Sequence, residues 1–140
     1  MGEILSYKCN DCGKVFSIDT GIGMLYNEDY LLKENHLIKI CEEEKMQNII
    51  EMKEFFEKNK EISIEDYGYL PYFCEECKEI LSKFYFVLYD KNREKIIRPI
   101  YNCPICKNNL RMMSKDEIKN ISCPKCKSKN LVVENFINWD

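Results

Sequence analysis

The stretch CPICKNNLRMMSKDEIKNISCPKC, residues 103–126, contains two Cys-Pro-x-Cys pairs that are separated by sixteen residues. A Cys-x-x-Cys turn places two sulfurs on the same side of a tight loop, and a second such turn can complete a tetrahedron of thiolates around one metal ion. The interval lies within the roughly 15 to 20 residues that are typical of a zinc ribbon. The spacing therefore predicts a closed metal site made by Cys103, Cys106, Cys123 and Cys126.

Two further Cys-x-x-Cys pairs stand earlier in the chain, so eight of the nine cysteines share one spacing. Under the preferred pairing, the remaining four ligands share a second ion across an insertion of 61 residues; they are Cys9, Cys12, Cys74 and Cys77. Two other pairings are open. The pair at 74 and 77 can join the pair at 103 and 106, which leaves the two ends of the chain to close the other site, or the pairs can interleave as a cross-brace.

The cysteine pairs predict two structural zinc ions. A redox dithiol needs one pair at the N-terminus of a helix, whereas four pairs here stand among short strand patterns. Iron also binds to four thiolates, and Cys-Pro-x-Cys occurs in rubredoxin-type iron sites as well as in zinc ribbons. The glycine that usually follows an iron knuckle is replaced by Lys107 and Lys127 after the last two pairs. Zinc is therefore preferred, and an iron tetrathiolate redox protein is the alternative.

Composition indicates a globular chain in a reducing compartment. The chain has 140 residues, of which 45% are hydrophobic and 32% are charged. No apolar run approaches the roughly 18 residues that a membrane span requires, and the N-terminal MGEILSYKCN has no apolar core of a signal peptide. Paired cysteines in such a compartment are more often metal ligands than disulfides. We expect a cytoplasmic protein without a membrane partner.

The periodicity of apolar residues predicts an α+β fold with two zinc-ribbon-like β modules. Short strands are expected at residues 4–7, 15–18, 67–73, 84–89, 94–101, 110–113 and 131–137, with Pro71 suited to an edge strand. Residues from about 28 to 59 lack Pro and Gly and have helical periodicity, which predicts two helices inserted between the first two cysteine pairs. Residues 114–117 have the form of a capping box. The resulting division is an N-terminal zinc-knuckle module with this insertion and a β-hairpin, residues 1–102, and a C-terminal zinc ribbon, residues 103–140.

The sequence predicts no catalytic residue. Catalytic zinc usually keeps an open position and has histidine or carboxylate ligands, but the chain has one histidine. No arrangement for nucleophilic catalysis or phosphate binding is present. The unpaired Cys41 lies on the apolar phase of the helical segment and is expected to be a buried core thiol. We therefore expect that the protein is not an enzyme.

Positive charge is concentrated in the last quarter of the chain. Residues 103–129 have a net charge of +5, whereas the whole chain carries −3. Lysines near a tetrathiolate zinc site offset its formal charge of about −2, which is the simpler explanation. The alternative is a nucleic-acid-binding face, in which phosphates contact Lys107, Arg111, Lys115, Lys125, Lys127 and Lys129.

The order of these features resembles a group of small, uncharacterised bacterial proteins with paired zinc ribbons. The features are YKCNDCG at 7–13, GIGMLY at 21–26, a helical insertion ending at Phe55 and Phe56, the pair at 74 and 77, and a closing Cys-Pro-x-Cys ribbon ending in NWD. The resemblance implies metal binding by the eight paired cysteines and implies no activity. The lysines after the third and fourth pairs depart from the usual glycine. The leading expectation is a structural zinc protein that acts as an interaction module for an unknown protein partner.

Overall fold

The described residues of the chain form one antiparallel sheet of seven strands. The computed structural model describes residues 2–22 and 26–139. The strand order is β5-β4-β3-β2-β1-β7, and β6 pairs with β3 beside this path. The strands are β1 (Gly2–Cys9), β2 (Val15–Gly21), β3 (Ile62–Cys74), β4 (Glu79–Asp90), β5 (Ile96–Ile97), β6 (Arg111–Met112) and β7 (Leu131–Trp139).

The prediction of an α+β fold with two separate ribbon modules is therefore wrong. Strands from both proposed modules belong to the same sheet, because β7 pairs along the whole of β1, from Gly2 opposite Trp139 to Cys9 opposite Leu131. Long-range strand pairing of this kind leaves no trace in the local cysteine spacing on which the prediction was based. The boundary between residues 102 and 103 stays a prediction about folding units.

Two long hairpins form the centre of the sheet, and each has a cysteine pair at its tip. Strands β1 and β2 pair with Leu5 opposite Ile18, while β3 and β4 pair from Ile62 opposite Asp90 to Cys74 opposite Glu79. The other two cysteine pairs lie in loops, one between β5 and β6 and one just before β7. Each hairpin tip therefore needs a partner loop to complete a set of four sulfurs.

Pro71 lies inside the sheet and not on an edge strand as predicted. It pairs with Ser82 of β4 on one side. On the other side, β2 reaches β3 only at Tyr69, and β6 begins its pairing at Tyr72. Proline has no N–H to donate, and the gap between these two short pairings is a position where that donor is not needed.

The helical insertion forms three short helices where two were expected, namely α1 (Glu28–Leu32), α2 (His36–Glu43) and α3 (Ile49–Lys58). The first break contains Glu34 and Asn35, whose φ angles are 52° and 61°, and the second contains Lys45 at 57°. A residue in the left-handed region ends the helical hydrogen-bond ladder. A fourth helix, α4 (Lys115–Lys119), begins with the predicted capping box of Ser114 and Glu117. No helix in the described ranges has the length and apolar character needed to cross a bilayer.

Two apolar clusters stabilise the sheet. The larger cluster joins the three inserted helices to β3 and β4 and also contains the buried cysteines Cys41, Cys74 and Cys103. The smaller one consists of Phe16, Ile18, Phe73, Ile80 and Met113. The predicted burial of Cys41 is confirmed, since its side chain has no exposed surface. Of the GIGMLY stretch, Gly23, Met24 and Leu25 lie outside the described residues.

Candidate metal centres

The eight paired cysteines come together as two groups of four, and in each group the sulfur atoms lie within 4.8 Å of one another. Site 1 is formed by Cys9, Cys12, Cys123 and Cys126, and site 2 by Cys74, Cys77, Cys103 and Cys106. The preferred pairing of the last two cysteine pairs is therefore wrong. The arrangement is the nested alternative, in which site 2 is closed within the chain and the two ends close site 1.

All four knuckles have the same backbone turn. In each, the N–H of the residue after the second cysteine donates to the carbonyl of the first cysteine at 2.9 Å. That residue has a positive φ in every case, and the four are Gly13 (79°), Lys78 (56°), Lys107 (67°) and Lys127 (65°). Lysine thus occupies the left-handed position that glycine usually takes. The backbone turn is therefore the same whether glycine or lysine follows the second cysteine. Lys78, after the second pair, is a third lysine at this position in addition to the two noted from the sequence.

The sulfur separations fit a tetrahedral thiolate site. Four sulfurs at about 2.3 Å from one ion lie about 3.8 Å from each other. In site 1 the Sγ atoms of Cys9 and Cys126 are 3.6 Å apart, and those of Cys12 and Cys123 are 3.5 Å apart. In site 2 the corresponding distances are 3.5 Å for Cys74 to Cys106 and 3.9 Å for Cys77 to Cys103. All nine cysteines are free of disulfides, so both groups could hold a metal ion.

The two sites differ in their access to solvent. In every knuckle the first cysteine is buried. The second cysteine is exposed in site 1, at Cys12 and Cys126, but only partly exposed in site 2, at Cys77 and Cys106. Site 2 also lies against the larger apolar cluster, which contains two of its ligands. Site 1 is consequently the more open of the two.

Backbone donors in the knuckles favour thiolate at one ligand of each site. The N–H of Cys12 holds the pKa of the Cys9 thiol at about 7, and the N–H of Cys106 does the same for Cys103, also at about 7. Burial opposes this effect at both thiols. Because a metal binds to the deprotonated thiol, these two side chains are the most readily available first ligands.

Ion pairs join the two sites to each other. Lys14 follows the first knuckle by two residues and pairs with Glu79, which follows the second knuckle by two residues. This ion pair was not predicted, although the sequence places opposite charges at the same position, two residues after each of the first two cysteine pairs. Both side chains are partly buried, with exposed fractions of 21% for Lys14 and 34% for Glu79, so solvent screens this pair less than a fully exposed one.

Arg111 forms a second bridge beside the sites. Its guanidinium donates to Glu75 in the second knuckle at 2.5 Å, and it donates two bonds to Glu117 at 2.7 and 2.9 Å. It also lies 5.1 Å from the centre of the Phe73 ring. These contacts lower the pKa of the Glu117 carboxyl to about 2, chiefly through Arg111. The Arg111 charge is thus balanced within the chain.

The other residues of the predicted nucleic-acid face are spread over three places. Lys107 belongs to a site 2 knuckle, Lys115 lies in α4, and the remaining three are within or just after the last site 1 knuckle. All five lysines are exposed. Across the described ranges, none of Lys107, Lys115, Lys125, Lys127 and Lys129 forms a salt bridge with a carboxylate.

No family model matches the chain, and neither a curated protein nor a solved structure is detectably similar to it. The class of the protein therefore rests on the geometry of the two tetracysteine groups. That geometry supports the metal-binding part of the resemblance, while its bacterial origin and its ribbon architecture gain no support.

Proposed function

We propose that this chain is a structural zinc protein that holds one ion in each tetracysteine site. The observation that carries this proposal is the nested grouping of all eight paired cysteines into two sets of four sulfurs with near-tetrahedral separations. Four thiolates close the coordination sphere, and a closed tetrahedral site is typical of structural zinc. Metal-binding free energy then becomes folding free energy.

The two ions would connect distant parts of the chain. Zinc at site 1 would fasten the tip of the β1–β2 hairpin to the loop before β7, and zinc at site 2 would fasten the tip of the β3–β4 hairpin to the loop before β6. The lysines at the knuckle turns would offset the negative charge of the tetrathiolates. The fixed sheet and its three inserted helices would then present a surface to a protein partner, with no catalytic step.

Metal content tests this proposal directly. We expect native mass spectrometry to find two zinc ions per chain, and chelation to cause a loss of secondary structure that added zinc reverses. A chain that binds fewer than two ions, or that keeps its fold after complete chelation, would contradict the proposal.

The absence of disulfides among the nine cysteines favours a reducing compartment such as the cytoplasm.

Iron is the competing occupant, because its tetrathiolate sites have the same sulfur geometry. Lysine at three of the four knuckle turns, where iron knuckles usually have glycine, favours zinc. Protein purified without oxygen should be colourless. Visible absorption that bleaches on reduction would identify iron and would replace the structural role with electron transfer.

Nucleic-acid binding is a second candidate function, supported by the five exposed lysines that form no salt bridge with any carboxylate of residues 2–22 and 26–139. Each phosphate contact adds about 0.9 to the slope of log affinity against log salt concentration for double-stranded DNA. Replacement of Lys125, Lys127 and Lys129 by alanine should therefore lower that slope by about two to three. Binding that does not depend on salt concentration would eliminate this candidate.

A further inference from the structure

Strand β7 forms an edge of the sheet with an unusual amount of exposed apolar surface. It pairs with β1 on one side, and within residues 2–22 and 26–139 no strand pairs with its other side. Residues 132–138 are all exposed. The exposed fractions of the apolar side chains are 46% for Val132, 52% for Val133, 51% for Phe136 and 43% for Ile137.

The sequence of β7 lacks the usual protection of an edge strand. Natural edges are commonly short, or carry lysine or proline, because a free row of N–H and C=O groups recruits other strands. The opposite edge of this sheet follows that rule, since β5 has two residues and is followed by Arg98 and Pro99. Strand β7 has nine residues, no proline and one charge, at Glu134. Its only irregularity is a bulge opposite Ser6 and Tyr7.

The hydrogen bonds around β1 indicate which backbone groups of β7 point outwards. Asn10 donates its N–H to the carbonyl of Asn130 beside β7, while Cys9 donates to Lys14 beside β2. Successive residues of a strand direct their backbone groups to opposite sides. The odd-numbered residues of β1 therefore face β2, and their partners in β7, which include Phe136 opposite Leu5 and Asn138 opposite Glu3, direct their N–H and C=O groups to the open side. There the Phe136 N–H donates to Oδ1 of its neighbour Asn135 at 2.9 Å, a side-chain contact that a pairing strand would replace.

We propose that β7 pairs with β7 of a second copy of this chain, antiparallel and about a twofold axis at Phe136, so that the two sheets become continuous. This register uses the outward groups of Phe136 and Asn138 and places the two Phe136 side chains together. It also places Glu134 opposite Asn138 of the second copy. Like charges opposite each other destabilise a strand pair, and this register brings no two carboxylates of β7 together.

The charge pattern is the reason for choosing a second copy as the occupant. An unrelated strand would need its own complementary pattern, whereas the single acidic residue of β7 meets a neutral amide when β7 pairs with itself. A closed twofold dimer also covers both free edges at once, because one patch contacts its own copy. The proposal does not depend on which metal occupies the two sites.

Light scattering of the metal-loaded full chain tests the proposal. The chain mass is 16.8 kDa, and we expect twice that mass at concentrations of about 100 µM, with dissociation on dilution. Phe136→Lys places two ammonium groups at the axis and should give a monomer. The matched control is Ile50→Lys, because Ile50 is a 70% exposed apolar residue on α3, a helix that packs in the apolar cluster with β3 and β4. This substitution should leave the dimer intact.

A charge exchange tests the register. Asn138→Glu should place a carboxylate opposite Glu134 of the second copy at two symmetric positions and weaken dimerisation about tenfold. Addition of Glu134→Lys should restore the dimer. Metal content and circular dichroism, measured on each variant, should equal those of the unmodified chain. A wild-type chain that stays monomeric at about 100 µM, or a Phe136→Lys variant that still dimerises with unchanged affinity, would overturn the proposal.

Discussion

Removal of one ligand from each site should have unequal consequences, because the two sites are nested. We compare Cys12→Ser in site 1 with Cys106→Ser in site 2. Both replace the second cysteine of a knuckle, but Cys12 is exposed and Cys106 is partly buried. The buried ligands Cys74 and Cys103 of site 2 are also members of the larger apolar cluster. We predict that the chain tolerates loss of site 1 and does not tolerate loss of site 2.

Loop closure sets the scale of the difference in affinity. In site 2, 25 residues separate Cys77 from Cys103, whereas 110 residues separate Cys12 from Cys123 in site 1. The entropic cost of closing a loop rises as about 1.5RT times the logarithm of its length, so site 1 costs about 1.3 kcal/mol more, or about ninefold in affinity. The greater exposure of the site 1 sulfurs adds to this difference by making them accessible to a competing chelator.

A stepwise titration with chelator can separate the two sites. Trp139, the one tryptophan of the chain, lies at the end of β7 with its ring 5.9 Å from that of Tyr69, so its fluorescence reports on the β1–β7 region that site 1 closes. Helical circular dichroism reports on the insertion that packs beside site 2. We expect the first metal to leave with a change in fluorescence and little loss of helix, and the second to leave with the helical signal.

The variants should reproduce the two steps separately. Cys12→Ser should retain one metal ion and most of its helical signal. Cys106→Ser should retain neither a metal ion nor the helical signal. The apparent free energy of zinc binding is about 10 to 16 kcal/mol, which is comparable to the stability of a whole domain, so loss of site 2 should unfold the chain. The reasoning is refuted if Cys106→Ser keeps one ion and a native tryptophan environment while Cys12→Ser loses both ions.

Three further predictions concern individual side chains. Lys107→Gly should stabilise the metal-loaded chain by up to about 1 kcal/mol, because a φ of 67° strains a residue with a Cβ. Lys107→Asn, measured in the same thermal melts, controls for the lost charge. Equal destabilisation by both substitutions would contradict the strain argument. Arg111→Ala should cost about 1 kcal/mol, since its pairs with Glu75 and Glu117 are largely exposed, and the cost should shrink in high salt during denaturant unfolding. Iodoacetamide at about pH 8 should leave Cys41 unmodified in the native chain, because burial raises its pKa to about 12, and peptide mass spectrometry showing rapid labelling would contradict its burial.

The local elements were largely accessible from the sequence because local chemistry determines them. The alternation around the first cysteine pair predicted β1 and β2, and the Ser114 to Glu117 pattern predicted the start of α4. The helical segment was predicted from about residue 28 to 59, and the helices span residues 28–58, but the division into three helices was not predicted. The breaks depend on left-handed residues such as Asn35 and Lys45, and lysine in particular has no local preference for that conformation.

The pairing of the cysteines was not accessible from their spacing. An interval of sixteen residues is compatible both with a local ribbon and with the nested arrangement, so the spacing alone does not distinguish between them. The choice is made by β7, which pairs with β1 and thereby carries the knuckle before it to the tip of the first hairpin. Antiparallel pairing of strands more than one hundred residues apart depends on the whole sheet, and no pattern inside either strand specifies its partner.

Nesting also changes the meaning of the basic residues around the cysteines. In a local ribbon, the positive charge of residues 103–129 would surround one ion. In the fold, the basic side chains are divided between the two sites. Lys14 pairs with Glu79, which follows the second knuckle, and Arg111 pairs with Glu75, which lies within it. These pairs join the two hairpin tips and their loops, so they connect the surroundings of the two tetracysteine groups. Charge balance between the sites is therefore a structural property of the sheet. A nucleic acid would have to bind through the exposed lysines that take no part in these ion pairs.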